Sequence, residues 1–252
     1  MIPLRDTIPS RRFPVVNTGL IAINVLVFLF ESVLPSQSQN QIVWQWGLVP
    51  TRFWESFCLA GWLPLLTSMF LHGGWWHLLS NMLALYIFGD NVEDRLGSFR
   101  YVLFYLTGGL FAGLAHVIAY AHSPVPTVGA SGAIAAVLGA YLLLYPSARV
   151  LTLIPLFYIV RLVEVPAYIY LGFWFISQLF NGVFALSATA DVLASGGVAW
   201  WAHIGGFVFG LAVVKLIAPR RRYPSYRVYS PPEETPPWHY DDRWDDRWDD
   251  RW

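Results

Sequence analysis

Ser131 stands in Gly129-Ala130-Ser131-Gly132 and His203 in Ala202-His203-Ile204-Gly205-Gly206, each at the start of an apolar run. A serine hydroxyl is a weak nucleophile at neutral pH and needs a base within hydrogen-bond reach, most often an imidazole. Gly129 and Gly132 let the backbone turn tightly and let another helix or a substrate come close. Unpaired N–H groups and the positive dipole end at a helix start favour negative charge developing beside the serine. Serine is also a common N-cap, and an intramembrane histidine is often only a structural hydrogen-bonder. The neighbours of these two residues argue for more. His203, Gly206 and Gly210 share one helical face, and Ala202, Gly206 and Gly210 form a small-xxx-small ladder suited to close helix contact. Ser131, Ala135 and Gly139 offer a matching ladder. The spacing predicts that the serine helix and the histidine helix pack together.

Two further residues belong with them. His77 and Asn81 are four apart, hence on one helical face, and their donors suit the oxyanion of a tetrahedral intermediate. His72 reads as a brace for the preceding loop. A metal site of His72, His77 and His203 is the rival, but it lacks a His-Glu-x-x-His run and a carboxylate at that spacing, so no metal or other cofactor is expected. No acid is placed to orient the imidazole, because Asp191 falls in a loop and Glu164 at the opposite side of the membrane; a Ser–His dyad is the expectation. The apolar runs supply essentially no aspartates for an aspartyl mechanism.

The elements that must position these residues are membrane helices. Of 252 residues 56% are hydrophobic and only 13% charged, against about a quarter charged in soluble domains. Mean hydropathy is +0.48, and 13 tryptophans fit interfacial anchors. Zero net charge leaves no nucleic-acid footprint, and Cys58, the single cysteine, excludes an internal disulfide. Hydropathy gives six spans, at about 17–34, 75–92, 99–121, 129–146, 165–185 and 199–218; the first is expected to be retained, not cleaved. Residues 42–71 and 148–163 are apolar but broken by prolines, and read as interfacial or partly inserted segments.

Positive charge stays cytoplasmic in short loops. Arg5, Arg11 and Arg12 precede the first span, Arg95 and Arg100 follow the second, Arg149 and Arg161 the fourth, and Lys215 and Arg220 to Arg222 close the sixth. Both termini are therefore expected inside, which requires an even number of spans. Spans two, four and six then begin on the outer side, bringing His77, Ser131 and His203 to one depth. The chain divides into a cytoplasmic segment 1–16, a six-helix domain 17–218 and a tail 219–252, whose prolines and three Asp-Asp-Arg-Trp repeats predict disorder.

His72-Gly73-Gly74-Trp75-Trp76-His77-Leu78-Leu79-Ser80-Asn81, Gly129-Ala130-Ser131-Gly132 and Ala202-His203-Ile204-Gly205-Gly206-Phe207-Val208-Phe209-Gly210 resemble the three signature segments of the rhomboid intramembrane serine proteases. Order and placement match over roughly residues 17–218. The resemblance implies an all-α, six-transmembrane-helix bundle with a partly inserted first loop. It also implies Ser131 as nucleophile, His203 as base, and His77, Asn81 and the Ser131 N–H as oxyanion donors around a water-filled cavity. His72, Gly129, Gly132, Gly206 and Gly210 support that site, and Glu93 with Arg95 matches a charged pair at the inner end of the second span. The partners implied are transmembrane protein substrates, entering between spans two and five, and the lipid bilayer; the minimal core implies a bacterial inner membrane. The chain departs from the family pattern at Leu63, where many members follow Trp with Arg, and at Ala135, where some stack a tyrosine on the catalytic histidine. A ring from span five or six is expected there instead. A non-catalytic rhomboid-like protein that escorts client helices is the alternative, although such proteins generally lose the serine or histidine. A transporter would call for inverted repeats, and the two halves show no similarity.

Overall fold

The computed structural model describes residues 1–56, 59–156, 159–186 and 197–219. Along the chain run β1 (Ile2–Asp6), α1 (Val15–Ser32), the first-loop helices α2 (Ser36–Trp46), α3 (Pro50–Glu55) and α4 (Leu59–Thr67), and a 3-10 turn at Ser68–Phe70. Then follow α5 (Trp75–Leu96), α6 (Ser98–Ala119), α7 (Ser131–Leu144), β2 (Arg149–Leu156), β3 (Ile159–Pro166), α8 (Ala167–Leu186) and α9 (Trp200–Ile217). Met1–Ala218 form one compact unit. The tail with its Asp-Asp-Arg-Trp repeats lies outside the described residues.

Among the described residues α1, α6, α8 and α9 are long and apolar enough to cross a membrane. The other two expected spans differ for physical reasons. α5 has 22 residues, but Asp90, Glu93, Asp94 and Arg95 crowd its last turns. α7 has 14 residues, about 21 Å at 1.5 Å per residue, short of a hydrocarbon core of about 30 Å. Its position accounts for that: every residue from Gly132 to Tyr141 is buried. A helix sheathed by other helices has no lipid to match.

The all-α expectation is corrected at the base of the bundle. Residues 148–163, expected as an interfacial segment, form most of the antiparallel hairpin β2–β3, with Arg149 opposite Pro166 and Leu153 opposite Leu162. Pro146 and Pro155 disfavour a helix there, while Val150, Thr152, Val160 and Val163 favour a strand. β1 adds a third, edge strand (Ile2 opposite Leu153), where Pro3 removes one ladder donor. Residues 2–6, within the N-terminal segment 1–16, are part of the compact unit. Asp6 accepts hydrogen bonds from the Tyr141 hydroxyl and from Asn91 Nδ2 (3.0 Å), fastening β1 to α7 and α5.

Polar staples cross the apolar interior. Glu93, expected to pair with Arg95, instead caps α1: its carboxylate accepts the N–H groups of Val16 (3.1 Å) and Asn17 (2.8 Å) and the Ser98 hydroxyl (2.6 Å). The single ion pair within 4.0 Å among the described residues is Arg149–Glu164. A carboxylate at a helix start satisfies orphan donors and meets the positive dipole end, which rewards Glu93 more than an exposed ion pair would. Asn17 in turn accepts from the Tyr101 hydroxyl (2.8 Å) and donates to the Leu85 carbonyl (2.9 Å), joining α1, α5 and α6. Gly97, at φ +80°, makes the turn from α5 into α6.

The closest contact is between α7 and α9. A methyl group on Gly206 would run into the Gly132 carbonyl oxygen, and one on Gly210 into that of Ala136. On α7, a methyl on Gly139 would strike the Phe207 carbonyl. The expected close approach is present, with carbonyls of Gly132 and Ala136 as the α7 contact points. Replacing Gly206 by Ala should therefore lower the unfolding midpoint in detergent, by about 1–3 kcal/mol of overpacking strain. Gly172→Ala on α8, where nothing lies within 4 Å, should leave it unchanged or higher. A second outcome concerns pH. Burial pushes the Asp6 carboxyl above its ordinary value, outweighing its hydrogen bonds from Tyr141 and the backbone. Docking of β1 is then favoured most below the unfolded carboxyl pKa of about 3.9 and weakens as pH rises through the raised value. Hydrogen exchange of the β1 amides, corrected for intrinsic rates, should increase across that window, and Asp6→Asn should flatten the dependence.

Candidate active site

α7 begins at Ser131, so the N–H groups of its first turn have no acceptor within the helix. The preceding Gly129 is held at φ +132°, a conformation open to glycine, and its N–H donates to the Ser68 carbonyl (2.8 Å). That turn leaves the Ser131 side chain at the mouth of the bundle. His203 lies one turn into α9 and is buried at 8% exposure. The two ladders bring the helices together there, and Ser131 Oγ is 2.8 Å from His203 Nε2. Both open on a cavity of about 920 Å³ whose lining includes His77, Asn81, Ser131, Trp174 and His203.

The expected oxyanion donors come from α5. Asn81 is buried and lines the cavity, and its Nδ2 makes no hydrogen bond among the described residues. His77 Nδ1 accepts the Gly73 N–H (3.4 Å), which leaves the ring proton on Nε2. The imidazole lies close against Gly129: a Cβ there would be 2.7 Å from His77 Nε2. Two donors and the start of α7 thus border one cavity with the serine, an arrangement able to hold a developing oxyanion.

Supporting residues divide. His72 is buried behind His77, their ring centroids 5.1 Å apart, and its backbone N–H reaches the Glu31 carboxylate (3.5 Å). It therefore joins α1, the first loop and α5. Gly132 packs on Ala112 of α6, while Gly206 and Gly210 meet α7. Glu93 and Arg95 lie at the far end of α5 and take no part in the site. Among the described residues no group of three or more His, Cys, Asp or Glu side chains is placed to hold a metal ion. Both ring nitrogens of His203 are engaged within the protein.

The sequence reading missed one contact. His203 Nδ1 is 2.8 Å from Oε1 of Gln178 on α8, also buried. The signal was available: an amide in an apolar span is costly to bury and marks a position with a task. Beside His203 lies the Trp174 indole of α8, centroids 5.7 Å apart with planes at 33°. Trp200 meets the imidazole edge-on at 6.3 Å.

Residues 59–220 match the model of the Rhomboid domain family. RHOMBOID-like protein 9, chloroplastic, of Arabidopsis thaliana is 36% identical over 124 residues, covering 49% of this chain and 28% of that protein. Rhomboid protease GluP of Bacillus subtilis (strain 168) is 34% identical over 129 residues, 51% of this chain and 24% of that protein. Putative rhomboid protease YdcA of the same organism is 33% identical over 136 residues, 52% of this chain and 63% of that protein. The chain therefore spans between about a quarter and three fifths of the length of these relatives. Gly129→Ala should misplace His77 and strain the turn before Ser131 together. Labelling of Ser131 by a fluorophosphonate probe is expected to slow by about tenfold or more, each 1.4 kcal/mol of lost positioning being a factor of ten.

Proposed function

The chain belongs to the rhomboid family, and we propose that it is an intramembrane serine endopeptidase cleaving transmembrane segments of other membrane proteins. The observation that carries this reading is the 2.8 Å contact between Ser131 Oγ and His203 Nε2, at the mouth of a cavity among apolar helices. Six spans, α1 and α5 to α9, form the catalytic domain in this reading, and 219–252 is a separate cytoplasmic tail. The arginine distribution supports a reading with both termini in the cytoplasm and the starts of α5, α7 and α9 toward the outer face.

In the first step Ser131 Oγ attacks the scissile carbonyl carbon while its proton passes to His203 Nε2. The carbonyl oxygen becomes an oxyanion, bound by Asn81 Nδ2, His77 Nε2–H and the Ser131 N–H. Collapse breaks the C–N bond, and the imidazolium returns its proton to the departing amine. Water then attacks the acyl-enzyme, His203 takes its proton, and a second oxyanion collapses to release the acid and restore Ser131. A transmembrane helix hides its carbonyls in its own hydrogen bonds, so substrate must unwind before it can react. Helices carrying Gly, Pro or polar residues near the outer face are therefore the preferred substrates, reaching the cavity between α5 and α8.

Cleavage of a single-span reporter in reconstituted vesicles tests the reading. Wild type should cleave, Ser131→Ala and His203→Ala should not, and Asn81→Ala should lose about 10²–10³ in turnover while retaining detectable cleavage. Undiminished cleavage by Ser131→Ala would exclude the mechanism. Wild-type protein that neither cleaves nor reacts with a fluorophosphonate would instead be a client-binding member of the family.

A further inference from the structure

We propose that Gln178 is a positioning residue that fixes the tautomer of His203, so that the working unit is Ser131–His203–Gln178. This rests on the protease reading and assigns α8 a part in it.

A short chain of hydrogen bonds orients the Gln178 amide and, through it, the imidazole. Gln178 Nε2 donates to the Trp174 carbonyl oxygen (3.2 Å) and lies 3.0 Å from Ser177 Oγ. A backbone carbonyl only accepts, so the nitrogen end of the amide is fixed there and Oε1 must be the end facing His203. Oε1 in turn only accepts, so the 2.8 Å contact requires the proton on His203 Nδ1. His203 Nε2 then carries the lone pair, and at 2.8 Å it faces the Ser131 hydroxyl as an acceptor. That is the form able to take the serine proton. In the other tautomer Nε2 would donate to Ser131 Oγ and have no lone pair to offer.

Gln178 also acts after the proton has moved. Its carbonyl dipole lies against Nδ1–H and stabilises the imidazolium without placing a second charge among apolar helices. A carboxylate there would carry a heavy desolvation cost whenever the imidazole was neutral. Trp174 completes the mounting, since it supplies both the carbonyl that orients the amide and the ring beside the imidazole.

The test uses the full chain, labelled with ¹⁵N-histidine and reconstituted in vesicles, comparing wild type with Gln178→Leu, Gln178→Asn and Gln178→Glu. His203→Ala identifies the His203 signals. The wild type is expected to show a single Nδ1–H tautomer. Leu removes the acceptor, and Asn, one methylene shorter, draws it away; both should populate the Nε2–H form and slow fluorophosphonate labelling of Ser131 by about 10–100-fold. Glu restores an acceptor for Nδ1–H and should recover the tautomer and at least part of the rate. A purely structural role would alter unfolding without moving the tautomer. Should the Leu variant unfold, the Asn and Glu variants still decide. Persistence of the Nδ1–H tautomer with wild-type labelling rates in the Leu or Asn variant would overturn the assignment. Failure of the wild type itself to label would count against the protease reading, while the ¹⁵N spectra would still judge the role of Gln178.

Discussion

The arrangement depends on backbone meeting backbone between α7 and α9. Gly206 and Gly210 expose their Cα atoms to the carbonyl oxygens of Gly132 and Ala136, with no side chain between. Lipid offers no hydrophobic drive for helices to associate, so close contact of this kind, with its dispersion energy and weak Cα–H···O bonds, is what membrane helices have available. It also sets the site geometry. Ser131 opens α7 and His203 lies one turn into α9, so the helix spacing sets the distance between the hydroxyl and the imidazole. That α7 is buried from Gly132 to Tyr141, and shorter than a bilayer is thick, follows from its place as the post around which the other helices pack.

The remaining polar groups solve a related problem at the other end of the bundle. Glu93 closes the start of α1, Asn17 links it to Tyr101 and to Leu85, and Asp6 ties the edge strand to Tyr141 and Asn91. Each group lies where backbone donors would otherwise be orphaned or a side chain would be buried unpaired. In apolar surroundings such bonds specify partners, because the alternative is an unsatisfied polar atom.

The site was legible in the sequence to the extent that it is local. Ser131 after Gly129, His203 with Gly206 and Gly210, and His77 four residues before Asn81 all express helix periodicity or helix starts, which spacing reveals directly. What escaped was pairing across the fold. Gln178 reaches His203 from another helix, and its polarity was informative only if amides were considered beside acids. Glu93 with Arg95 matches a charged pair through the resemblance alone, whereas the partners of Glu93 are α1 backbone groups that spacing does not reveal. The hairpin β2–β3 was marked by its prolines as a break in the helical pattern. Strand pairing depends on a partner, and β1, near the other end of the chain, gave no sign of being one.

α8 is the least embedded of the long helices, with Ala167, Leu171, Gln178 and Gly182 as its buried positions. Much of the rest of its surface is exposed, as at Phe173, Ile176, Phe180, Val183 and Phe184. A helix clad in this way takes its tilt partly from hydrocarbon thickness, since mismatch costs fractions of a kcal/mol per ångström. Trp174 and Gln178 ride on that helix. The partners of the imidazole are thus mounted on the wall that lipid pushes against, and membrane composition becomes a mechanical input to the geometry of His203.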